Sequence, residues 1–296
     1  MEKTFSSEVK DELCLLNIKT LQAAAAELAA MLIFGENTDT DNIVIKSGRA
    51  ENAARIQALL RKAGGQRIAI DVSERKNIYT VKIPKNAAEN LGVYITEQGD
   101  IELDEEIIEN ENEKRAFLRG AFIVSGTITP PEKNYSCELF TMNENMAYIA
   151  AEILESLGVK ANTVKRKEYF VTYLNDCESV TAFLGIIGAQ TALLHLMTTQ
   201  VEKDYRNQTN RIFNCRVANI DKMIKAAAGQ CAVIERLMAS QKWEELTPQL
   251  RALAELRMEN KESSLAELGE KMSPPISKSA VNRRMSRLLE LAKKLD

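Results

Sequence analysis

Residues 27–36 (ELAAMLIFGE) and 116–126 (AFLRGAFIVSG) are built alike: each is an apolar helical run with small side chains along one face, running into a glycine. Small residues at that spacing let two helix backbones approach closely, so these helices are predicted to pair at the centre of the fold. The segments that follow them repeat in order. The helix around Leu118 lies 90 residues after the one around Leu28, a strand at 136–141 answers one at 43–46, and Gly158 closes a helix 93 residues after Gly65 does. Such a steady offset predicts a duplicated domain whose common unit is αββαββ with a trailing helix. Further apolar periodicity places helices near 6–13, 50–63, 85–91 and 146–157, and strands at 67–72, 77–83, 162–165 and 168–174.

At 296 residues the chain has room for a second domain. The longest apolar helix is predicted over 180–197, but Gly185, Gly188, Gln190 and His195 interrupt it, and no apolar run follows a basic start, so neither membrane insertion nor secretion is expected. Residues 199–213 are polar and read as a linker, which divides the chain into a duplicated domain over 1–198 and a helical domain over 214–296. In the latter, Val217, Ile220, Ile224, Ala227, Cys231, Ile234 and Leu237 mark one or two helices, and Pro248 starts another. Five scattered cysteines without a C-x-x-C pair, and His195 as the single histidine, point to free thiols in a reducing, cytoplasmic setting. No structural zinc, other metal or cofactor is expected.

The net charge of −3 speaks by itself against nucleic acid, but its distribution does not. Residues 97–113 carry nine acidic side chains and no Lys or Arg, and read as a solvated connector between the halves. Residues 278–296 carry six basic and two acidic side chains. Each half also puts a basic pair in the turn between its last two strands, Arg75-Lys76 and Arg166-Lys167. Matched basic rims of this kind suit the phosphates of a duplex, although exposed hairpin turns are often charged for no such reason.

The sharpest local signal lies near the C-terminal end. Ser264 with Glu267 forms a capping box, Pro274 and Pro275 forbid the helix to continue, and Ser277 caps a new one. Leu265, Leu268, Val281, Met285 and Leu288 fall on inner faces, leaving Lys278, Ser279, Asn282, Arg283, Arg284 and Arg287 outward. This describes a helix-turn-helix at about 263–295 whose second helix suits a major groove. Arg recognises guanine and Asn adenine by paired hydrogen bonds. The plainer alternative is a capped helical hairpin with a solvated basic face.

These motifs, with Phe5-Ser-Ser-Glu-Val-Lys-Asp-Glu-Leu13, Arg115-Ala-Phe-Leu-Arg-Gly-Ala-Phe122, Asn214-Cys-Arg-Val-Ala-Asn219, Leu265-Ala-Glu-Leu-Gly269 and Pro274-Pro-Ile-Ser-Lys-Ser279, resemble the WhiA family of bacterial transcriptional regulators and cell-division proteins over nearly the whole chain. The resemblance implies an α+β, LAGLIDADG homing-endonuclease-like duplicated domain followed by an all-α helix-turn-helix domain of the sigma-factor type. It also implies binding to double-stranded promoter DNA, a nucleoid-associated location, and roles in sporulation or cell division, with a further transcription or division protein as partner. In LAGLIDADG enzymes the acid at the eighth position of each central helix holds the metal that activates water. Laid on this sequence, that position falls on Gly35 in one half and Ser125 in the other, with Glu36 one step beyond the first. Neither Gly nor Ser replaces a carboxylate, so the reading is a non-enzymatic, sequence-specific DNA-binding regulator. The alternatives are a metal-dependent endonuclease and a protein-interaction scaffold in cell division. His195, Trp243 and Met223 are given packing roles only.

Overall fold

Local hydrogen bonds mark where the first helices begin. The Thr4 hydroxyl accepts from the Ser7 N–H to open α1 (Phe5–Cys14), and the Thr20 hydroxyl accepts from the Ala23 N–H at 3.1 Å to open α2 (Leu21–Phe34). A computed structural model describes residues 3–35, 42–63, 71–75, 78–96 and 101–293. After α2 come β1 (Asn42–Ser47), α3 (Ala50–Ala63), β2 (Asp71–Arg75), β3 (Ile78–Pro84), α4 (Lys85–Glu89), β4 (Val93–Ile95) and β5 (Ile101–Leu103). The second half follows as α5 (Glu111–Ser125), β6 (Thr127–Ile128), β7 (Cys137–Thr141), α6 (Glu144–Ser156), β8 (Asn162–Arg166), β9 (Tyr169–Leu174) and α7 (Cys177–Ile187). Then come α8 (Gln190–Met238), α9 (Pro248–Glu259), α10 (Leu265–Lys271) and α11 (Lys278–Ala292). The chain forms two compact units, Met1–Lys203 and Asp204–Asp296.

In the first unit the halves carry the same sheet. One is ordered β1-β3-β2 and the other β6-β7-β9-β8, all antiparallel, so β7, β8 and β9 repeat β1, β2 and β3. The residues where a counterpart of β6 would fall, 36–41, lie outside the described residues, as do Gly64 and Gly65. Between the sheets, α2 and α5 lie against each other as their small residues predict. A Cβ on Gly120 would stand 2.1 Å from the Glu27 carbonyl oxygen and 3.1 Å from the Ala30 Cβ, so the approach requires glycine there. Leu28, Met31, Leu32 and Ile33 of α2 and Phe117, Leu118 and Phe122 of α5 are fully buried around this line. Each contributes on the order of 1.5–3 kcal/mol through apolar burial.

One buried charge cluster sits in this core. The Glu27 carboxylate accepts from Arg55 Nε at 2.7 Å and Nη2 at 3.0 Å, and from Arg119 Nη1 at 2.9 Å. Arg119 Nε in turn donates to the Ile187 carbonyl at 2.7 Å, which ties α2, α3, α5 and the end of α7 together.

Three expectations about the course of the chain are corrected. The apolar helix expected over 180–197 is two helices, because the chain turns at Gly188, where φ is +90°. Residues 199–213, read as a linker, are helical and belong to α8. Their polarity misled: no Gly or Pro occurs between Gly188 and Gly229, and Gln, Glu, Lys and Arg are good helix formers. The acidic stretch is not merely a solvated connector. Within it β5 pairs with β4, Ile101 and Ile108 are buried, and the Glu113 carboxylate accepts from the Asn110 N–H at 3.1 Å to cap α5.

The second unit packs Ile234 and Leu237 of α8, Leu253 and Ala254 of α9, Leu268 and Met272 around α10, and Val281, Met285, Leu288 and Ala292 of α11 into one core. Trp243 lies partly buried against it, with Arg251 over the ring at 5.7 Å. Met223, given a packing role from sequence, is exposed.

Candidate nucleic-acid interface

Helix α10 starts where the sequence says it must. The Ser264 hydroxyl accepts from the Glu267 N–H at 3.2 Å, and the Glu267 carboxylate accepts from the Ser264 N–H at 2.7 Å. It ends in a tight turn containing a cis Ser273–Pro274 peptide, and the Ile276 N–H donates to the Gly269 carbonyl at 2.9 Å. A Cβ on Gly269 would stand 2.4 Å from the Ile276 carbonyl oxygen, so glycine sets how closely the turn folds back. The Ser277 hydroxyl then accepts from the Ala280 N–H at 3.3 Å to start α11.

Burying Val281, Met285, Leu288 and Ala292 fixes which face of α11 points outward. Ser277, Lys278, Ser279, Asn282, Arg283 and Arg287 are exposed along it. Lys278 and Arg283 have no ion-pair partner among the described residues, whereas Arg287 faces Glu290 at 3.3 Å. Arg284 differs. It is half-buried, and its Nη2 donates to Gln249 Oε1 at 3.3 Å, bracing α11 against α9. A residue's side of a helix is legible from spacing, but a partner 35 residues away is not. Arg257, which the sequence did not single out, is a buried guanidinium donating to the carbonyls of Asn260 and Ser263 ahead of α10, and burial lowers its pKa.

In the first unit, the positions aligned with the metal-holding acids come together. Gly35 and Ser125 line one cavity of about 330 Å³ where α2 and α5 end, with Lys46, Asn52, Thr141 and Tyr169 among its walls. The Ser125 hydroxyl donates to the Ala121 carbonyl at 3.0 Å and so turns back onto its own helix. Among the described residues that line it there is no carboxylate, and Lys46 brings a cation where a hard divalent ion would need anionic oxygens. Glu36 lies outside the described residues.

The basic turns are only partly visible. Arg166 Nη1 bonds Glu138 Oε1 at 2.7 Å at the surface, and Lys167 takes a left-handed φ of 57° in the two-residue turn before β9. Lys76 and the side chain of Arg75 lie outside the described residues. The lone histidine, given a packing role from sequence, is exposed on α8; its ring stands edge-on to Phe5 at 5.5 Å and meets Glu132 at 3.2 Å.

The fold and these surfaces define a class: a LAGLIDADG-like α+β domain coupled to a helical domain with a helix-turn-helix. Family models agree, the WhiA LAGLIDADG-like domain matching residues 114–206 and the WhiA C-terminal HTH domain residues 209–292. The chain belongs to the WhiA family. It is 32% identical over 305 residues to the probable cell division protein WhiA of Heliobacterium modesticaldum, covering 98% of this chain and 96% of that one. Against the protein of the same name from Staphylococcus aureus strain USA300 it is 33% identical over 306 residues, covering 99% and 97%. The crystal structure of full-length WhiA from Thermotoga maritima superposes with a TM-score of 0.60 at 23% identity, covering 99% of each chain, a likeness of fold.

Proposed function

We propose that this protein is a sequence-specific, non-enzymatic DNA-binding regulator of transcription, acting in cell division or sporulation. The observation that carries the reading is the outward face of α11, where Lys278, Ser279, Asn282, Arg283 and Arg287 are presented by a helix whose opposite face is locked into a core. Asn282 and Arg283 sit within two turns of the capped N-terminus, the part of a recognition helix that meets base edges, and are assigned to base contacts. Lys278, Ser279 and Arg287 flank them and are assigned to phosphates, with Ser277 opening a helix N-terminus whose first-turn N–H groups face the same backbone. Arg284, which also bonds Gln249 of α9, is assigned to the same DNA-facing set. Arg166 and Lys167 offer a second, weaker phosphate surface on the first unit, and Arg75 and Lys76 are assigned the same role from their matching place in the sequence. Arg166 would exchange its exposed ion pair, worth about 0–1 kcal/mol, for phosphate at little cost.

The protein acts on double-stranded promoter DNA in the cytoplasm at the nucleoid, with a transcription or division protein as a further partner. Selection of bound duplexes from a random pool with the full chain, followed by anisotropy on the selected site, tests this. Arg283→Ala should cost about 1–3 kcal/mol on that site and relax preference at one base pair. A uniform loss on all sequences with a shallower salt slope would reassign Arg283 to the backbone, and no enriched sequence at all would remove the reading. The absence of nuclease action is proposed from Gly35 and Ser125 standing where acids are needed. Plasmid incubated with the protein and Mg²⁺ or Mn²⁺ should stay supercoiled, and nicking abolished by Glu36→Ala would overturn this.

A further inference from the structure

Helix α8 carries a pattern that DNA reading leaves unused. Phe213, Val217, Ile220 and Ile224 recur at steps of four, three and four residues and are 64%, 40%, 51% and 51% exposed. The same steps continue to Ala227, Cys231 and Ile234, which are buried. An apolar row at this spacing matches the a and d positions of a coiled-coil seam, and such a row left facing water marks an interaction site.

The identity of the occupant follows from what flanks and precedes the row. With Val217 and Ile224 at heptad positions a, Phe213 and Ile220 fall at d, and Asn210 falls at the preceding a. A single Asn at a specifies register and the number of strands, because it is satisfied opposite another Asn. Arg216 and Asp221 fall at g and e, on the two flanks of the seam. In a parallel, in-register pair each Arg216 meets the other chain's Asp221, so the twofold makes the bridge twice. Neither side chain has an ion-pair partner among the described residues. Lys222 and Lys225 point away from the seam at f and b, so pairing brings no lysines together there. A second copy of this chain presents Asn, apolar row and charges in this order.

We infer that two copies of this chain pair in parallel along residues 210–224 of α8. Pairing stops after Ile224 because Ala227, Cys231 and Ile234 are buried. Just over two heptads make a weak, concentration-dependent dimer, and the pairing does not depend on DNA.

Sedimentation equilibrium of the full chain over a concentration series, without DNA, tests this. The wild type should move from monomer to dimer mass, and Ile220→Asp should remain monomeric at unchanged helicity. Arg216→Glu should weaken the dimer, and the double variant Arg216→Glu/Asp221→Arg should restore it, a rescue that misfolding would not give. In a Cys215→Ser background, Val217→Cys should form an interchain disulfide under mild oxidation, because a positions meet their own copies only in register. A wild-type chain that stays monomeric throughout, whatever else covers the row, overturns the inference. So does a dimer indifferent to Ile220→Asp, or a charge swap that fails to rescue.

Discussion

The two halves of the first unit share a sheet order and a central helix but differ at the middle. At the offset of 90 that relates them, Glu27 in α2 corresponds to Phe117 in α5. Glu27 holds Arg55 and Arg119 in a buried ionic knot, whereas Phe117 packs edge-on against Phe34 with ring centroids 6.0 Å apart. Their partner helices differ in the same way: α3 buries Asn52 and Arg55, while α6 buries only Met146, Ala147, Ala150, Ile153 and Leu154. The topology therefore rests on the apolar pattern both halves keep, and what fills the centre is exchangeable between charge and aromatic packing.

That exchange can be broken deliberately. The largest effect is expected from Glu27→Ala, which strands a buried Arg55 and should cost about 3–5 kcal/mol in urea unfolding. If the knot is exchangeable, Glu27→Leu with Arg55→Met should recover most of this loss. A double variant no better than the single one would mean that the ion pair specifies the fold. Next is Gly120→Ala, whose Cβ meets the Glu27 carbonyl and should cost about 1–3 kcal/mol. Ala30→Gly at the facing position should cost about 1 kcal/mol alone and should not relieve Gly120→Ala. The smallest concerns Phe122, which has Phe183 of α7 on one side at 5.7 Å and Lys10 of α1 on another at 5.8 Å. Burial lowers the Lys10 pKa to about 8, with Arg49 pushing the same way. Between about pH 8 and the ordinary value of 10.5 the unfolded chain then binds the extra proton, so stability should rise with pH across that window. Lys10→Met should flatten that rise, and midpoints that climb equally in both proteins would remove Lys10 as its source.

What the sequence disclosed was local or periodic. The helix pair announced itself through Gly120 and its small neighbours, the helix-turn-helix through Ser264, Glu267 and the two prolines, and the outward row of α11 through the spacing of Val281, Met285 and Leu288. Contacts between distant residues were not disclosed. Nothing in composition pairs Glu27 with Arg55, Arg166 with Glu138, or Arg284 with Gln249, because each depends on how elements meet in space. Residues 199–213 were misread for a different reason: polarity reports exposure, and an exposed helix without breakers is as polar as a loop. The convergence of Gly35 and Ser125 on one cavity needs both the duplication, which sets equivalent positions at equal distances from a pseudo-twofold axis, and the close pairing of α2 and α5, which makes that distance short.

The glycine at that axis constrains how this protein can change. Side-chain crowding can be negotiated, because a neighbour can shrink when another grows. The obstacle at Gly120 is a peptide oxygen, which every amino acid carries. No substitution at position 27 or 30 opens room for a larger residue at 120, so its freedom to drift stays closed while the two repeats remain joined.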